Sequence, residues 1–208
     1  MTHIHLTARE YINTSNIVYD LNNMDLEVQE KKLSSEGHYA SLDWIIPTGI
    51  YLIILKPYYE TFLKKAAEDH YVMLKEFLKN KLYKEAINPK DEFKILNNKG
   101  VEKDTFFTMH FSMLHKLSKN NQHVTLKLMF PKNCSPEYFE TSIKSFIELQ
   151  NELEDELKSH ELFDKLIHAD KFSLSEKIVW YNEKINQLEY LDLVESSKNK
   201  SIVALKLQ

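Results

Sequence analysis

The run Trp44-Ile45-Ile46-Pro47-Thr48-Gly49-Ile50-Tyr51-Leu52-Ile53-Ile54-Leu55 contains no charge and is the least water-compatible part of a 208-residue chain. Its reading decides the fold, because a segment this apolar must be covered by its own chain, by a partner or by lipid. A bilayer-spanning helix needs about 20 apolar residues. This run is shorter, is interrupted by Pro47 and Gly49, and is followed at once by Lys56 and Glu60. The sequence therefore predicts a buried helix, begun near Asp43 or Thr48 as N-cap.

From Pro57 onward the spacing is that of an amphipathic helix. Tyr59, Phe62, Leu63, Ala66, Ala67, His70, Tyr71, Leu74, Phe77, Leu78 and Leu82 recur at three- and four-residue steps, with lysines and glutamates mostly on the other side. Pro57 should kink the junction, and Asn88-Pro89 should end the helix. This gives a long central helix over about 57–86. Burial in the core is the preferred fate of the whole stretch. One alternative is a protein-contact surface presenting Trp44, Ile53, Tyr58, Tyr59 and Phe62; another is membrane contact through residues 44–63, flanked by aromatic rings.

On the N-terminal side, His3 to Ala8 alternates as a strand, Ile17 to Leu21 reads as a second, and Asn22-Asn23 as a turn before a third from Met24 through Val28. On the C-terminal side, Phe93 to Leu96 is a short strand candidate and Thr105 to Met113 alternates. A turn at Ser118–Gln122 then leads to a strand with Val124, Leu126, Leu128 and Phe130 inward and Thr125 and Lys127 outward. Ser135-Pro136-Glu137 is a helix start, with Ser135 as N-cap and Pro136 in the first turn, opening a second long helix over about 136–158. A short helix over Glu161–Ala169 follows. Ile178–Tyr181 and Leu188–Leu193 form a hairpin, and Ile202–Leu207 is a last strand or a docked tail. The expectation is one α+β domain over 1–208, with N-terminal strands in 1–32, the central helices in 42–87 and a hairpin-helix-hairpin region in 93–208. Its sheet is expected to be mostly antiparallel, covered by the two long helices.

Composition narrows the function classes. Hydrophobic residues make up 43% of the chain and charged residues 28%, enough apolar material for a sizeable core. The formal net charge of −4 draws the chain to neither nucleic acid nor anionic lipid. Of 27 basic residues only Arg9 is an arginine, which counts against base readout and bidentate phosphate binding. The same skew suggests AT-rich coding DNA and a bacterial origin. Cys134 is the only cysteine, so neither an internal disulfide nor a cysteine-rich zinc site can form. With no signal-like N-terminus, a cytoplasmic location is expected.

Motifs for chemistry are sparse. Glycines stand only at 37, 49 and 100, which leaves no phosphate-binding glycine loop and no nucleophile elbow. His160, Asp164 and His168 lie at i, i+4 and i+8 on a helix, yet Asp164 stands where the zinc-peptidase pattern needs its second histidine, so a solvated face is preferred to a metal site. His3 and His5 on one strand face lack a third ligand. Glu92-Phe93-Lys94 is a chance-level nuclease triplet. Cys134 precedes a helix N-terminus whose dipole would lower its pKa, although a packed thiol is preferred. His70, His110 and Asp43 are the weak candidates for a catalytic site, with His115 near His110. No cofactor is implied.

The sequence thus favours a non-enzymatic protein-interaction or regulatory module of a bacterial cytoplasmic system, such as a defence, antitoxin or immunity accessory protein, partnered by another protein or by its own copy. A membrane-associated effector inserting 44–63 and a hydrolase with a His/Asp site are the alternatives.

Overall fold

The computed structural model describes residues 4–10, 12–24, 26–33, 49–54, 76–87, 106–168, 175–192, 196 and 203–207. Ile50–Ile54 is a β-strand, which corrects the helix expected over the apolar run. Ile50, Ile53 and Ile54 are branched at Cβ and suit an extended backbone. Burial alternates along the strand, with Ile50, Leu52 and Ile54 on the inner side. A short apolar run fits a central strand as well as a buried helix by periodicity, and pairing on both edges decides it. Trp44 to Thr48 lie outside the described residues, as do residues 57–75 of the expected central helix and the strand expected over 93–96.

The strands are β1 (Ile4–Arg9), β2 (Val28–Leu33), β3 (Ile50–Ile54), β4 (Phe111–Lys119), β5 (Gln122–Leu128), β6 (Glu176–Asn182), β7 (Gln187–Leu191) and β8 (Ala204–Lys206). They form one sheet in the order β2-β1-β3-β4-β5-β6-β7-β8. Three neighbouring pairs are parallel and four antiparallel, so the sheet is mixed rather than mostly antiparallel. The reason is the crossovers: a parallel neighbour can be reached only by a long return over the sheet, and helices supply it.

Helix α1 (Ser15–Asn23) makes the first return, from β1 to β2. It replaces the strand expected over Ile17–Leu21, because Ile17 and Leu21, four residues apart, both point into the core. The backbone N–H of Ser15 bonds Asn13 Oδ1 at 2.9 Å at the helix start. A π-helical turn, Leu78–Leu82, runs into α2 (Tyr83–Ile87), and Asn88-Pro89, expected to end the central helix, lie outside the described residues. Helices α3 (Pro136–Glu152) and α4 (Glu156–Ile167) return the chain from β5 to β6.

The Ser135 start is realised: its Oγ accepts from the N–H of Tyr138 at 3.1 Å, with Pro136 in the first turn. The long helix over 136–158, however, is broken. Asp155 Oδ1 accepts from the N–H groups of Leu157 at 2.9 Å and Lys158 at 3.2 Å, so a capping carboxylate starts a second helix there. Phe139, Ile143, Phe146, Gln150 and Leu153 hold the buried stripe, whereas Leu157, past the break, is exposed.

All of these helices lie on one face. Thr14 and the Ile12 carbonyl meet Glu30 and Lys32 of β2 on the side of Leu6 and Ala8. Lys81 of the π-helical turn pairs with Asp20 of α1 at 2.5 Å, and Lys79 with Glu137 of α3 at 2.9 Å. Phe139 of α3 packs on Phe111 and Phe130, centroids 5.9 and 4.5 Å away. Strands β1 and β5 point the same way, yet β2 and β6 lie on opposite sides of them. With helices on the same face, the two crossovers therefore have opposite hands, and one departs from the right-handed rule.

The β4–β5 hairpin turns through Asn120 and Asn121, at φ 49° and 62°, a pair of left-handed positions that asparagine tolerates. The strand expected at Thr105–Met113 starts only at Phe111, and Phe107 makes a single bridge to Pro131. Both alternating sets are largely enclosed: Phe107, Met109, Phe111 and Met113 are buried, as are Thr108, His110 and Ser112, while Phe106 is exposed. The β6–β7 hairpin and the last strand, β8 against β7, appear as expected.

Candidate functional site

The inner face of the sheet is apolar, so the groups that could act or bind gather on the opposite face. Register places Tyr51 beside Ser112, Leu114 beside Lys127, Lys127 beside Ile178 and Thr125 beside Glu176 on that face. Lys127, expected to point into solvent, is instead fully buried. Its Nζ lies 3.0 Å from Glu176 Oε1 and 5.1 Å from the centre of the Tyr51 ring. An ammonium removed from water needs such a partner, since desolvation costs several kcal/mol per ion. Glu176 keeps its carboxylate partly in solvent, so the pair joins interior to surface.

Next to this pair lies a second apolar cluster of Phe107, Met129, Ile178 and Leu191, with Trp180 and Ala204 packed against it. Phe106 stands edge-on to Phe107 at 4.9 Å and to Trp180 at 6.0 Å, and is 52% exposed. Glu189, across from Trp180, accepts from Asn182 Nδ2 at 2.8 Å. Trp180 Nε1, Ser112 Oγ and Gln187 Oε1 are buried on this face without a hydrogen-bond partner among the described residues.

A polar site also interrupts the inner face. His115 of β4 and Lys177 of β6 flank Leu126 of β5. Gln150 Nε2 of α3 lies 3.3 Å from His115 Nδ1. Burial lowers the His115 pKa to about 4, against a smaller opposing pull from Glu154. The imidazole is therefore neutral at pH 7, and its bare Nδ1 accepts from Gln150. Lys177 is fully buried, with Nζ 5.7 Å from the Tyr190 ring.

Of the candidates singled out in the sequence, His160, Asp164 and His168 lie along α4. His160 is within 3.9 Å of Glu156, Asp164 pairs with Lys119 of β4, and His168 caps the end of α4. Among the described residues no three His, Cys, Asp or Glu side chains are grouped to hold a metal. His110 is buried, and its backbone N–H bonds Thr108 Oγ1 at 3.3 Å while Thr108 bonds the Ala86 carbonyl at 2.8 Å. His70 and Asp43 lie outside the described residues, as do His3, Glu92-Phe93-Lys94, Trp44, Tyr58, Tyr59 and Phe62. Ile53 is half-buried on the face of Lys127. Burial overrides the helix dipole at Cys134 and pushes the thiol up to about 12, the reverse of the shift expected from the sequence.

Sequence reasoning missed Lys127, Trp180 and Phe106. No local signal marks them: of the alternating set Phe106, Thr108, His110 and Ser112, only Phe106 is a large apolar side chain. Comparison with family models, curated proteins and solved structures finds no match. Among the described residues no helix is long and apolar enough to cross a membrane.

Proposed function

We propose that the chain is a non-enzymatic protein-interaction module, binding another protein or a second copy of itself through the sheet face that carries Phe106 and Trp180. Phe106 carries the reading: a large ring more than half exposed, yet held in place by two aromatic neighbours, offers contact area at little entropic cost. Tyr51, Ile53 and Leu114 extend the face as half-buried apolar groups. Lys116 and Glu176 on the same face supply both signs of charge, as a surface that meets its own copy requires. Among the described residues, Asp164 is engaged with Lys119, His115 with Gln150, and Cys134 is a buried thiol. A lone buried thiol also suits a reducing compartment.

The test compares wild type with Phe106→Asp, using Tyr19→Asp on α1 as a surface control. Sedimentation velocity over a concentration series reads self-association, and affinity capture from a lysate of the source organism reads other partners. The proposal expects an association or a captured protein that is lost in Phe106→Asp and kept in Tyr19→Asp. A strictly monomeric wild type whose capture profile matches that of Phe106→Asp overturns it.

A further inference from the structure

We draw no further inference here: the strongest candidate, the buried Trp180 indole N–H beneath Phe106 on the sheet face away from the described helices, belongs to the surface already described, and nothing in the structure shows what covers it.

Discussion

Replacing His115 with leucine should remove a pH dependence that the fold carries on the helix-covered face of its sheet. The imidazole is held between β4 and α3, and burial lowers its pKa from the usual 6.5 to about 4. In the unfolded chain it titrates near 6.5. Below that value the unfolded state binds a proton that the folded state refuses, so stability falls as pH drops from 6.5 towards 4. Integrating the two titrations gives a loss of about 0.2 kcal/mol at pH 7 and about 2 kcal/mol at pH 5. A leucine side chain at this position cannot titrate, but it leaves Gln150 Nε2 without an acceptor, a cost of about 1–3 kcal/mol at every pH. His115→Leu should therefore be the less stable protein at pH 7, and the gap should shrink by about 2 kcal/mol at pH 5. Urea unfolding followed by tryptophan fluorescence at the two pH values measures this. With a urea slope of about 2 kcal/mol per molar, the relative midpoints should move by about 1 M. Contributions common to both proteins cancel in the difference. A gap that stays constant within roughly 0.5 kcal/mol, the additivity error of such comparisons, would refute the neutral state of the half-buried His115.

Three further outcomes can be checked by the same unfolding measurements. Glu176→Gln should destabilise by about 2 kcal/mol, because it removes the charge from the carboxylate 3.0 Å from the buried Lys127 ammonium, and in a Lys127→Met background the same change should cost much less; additive losses would contradict the pairing. Asp155→Ala should cost about 1 kcal/mol by uncapping α4, seen as a melting point about 2–4 °C lower, with Ser135→Ala similar at α3. Gly49→Ala should cost about 1–3 kcal/mol, since its Cβ would stand 2.6 Å from Ile12 Cδ1 and 3.3 Å from the His110 carbonyl oxygen; Ile12→Val in that background should recover part of it, and no recovery would place the strain at the carbonyl.

What the sequence disclosed, and what it hid, follows from the range of each signal. Ser135-Pro136-Glu137 and the inward set Val124, Leu126, Leu128 and Phe130 were legible because capping and alternation act over a few residues. The helix break at Asp155 was not read, although its cap signal is of the same kind, because Leu153 and Leu157 continue the apolar spacing through it. Ile50–Ile54 and Lys127 were misread for a longer-range reason. Each lies on a strand paired on both edges, and no local pattern reports that neighbours from distant parts of the chain bury both sides. Ile17–Leu21 shows the opposite error, in which β-branched residues suggested a strand while their spacing served a helix. Of the residues the sequence offers for a contact surface, Ile53 alone is described, on the face of Phe106 and Trp180, which become neighbours only once distant segments pair.

Both the fold and the functional reading depend on Ile50–Ile54 being a central strand, because that places the apolar run inside the sheet and gives the Tyr51 and Lys127 face its order. Backbone 13C chemical shifts of these five residues, with cross-strand proton contacts, test this most directly. Extended-chain shifts are expected, with contacts from Leu52 to Leu6 on one side and to Met113 on the other. Helical shifts over Ile50–Ile54, without those contacts, would contradict the account.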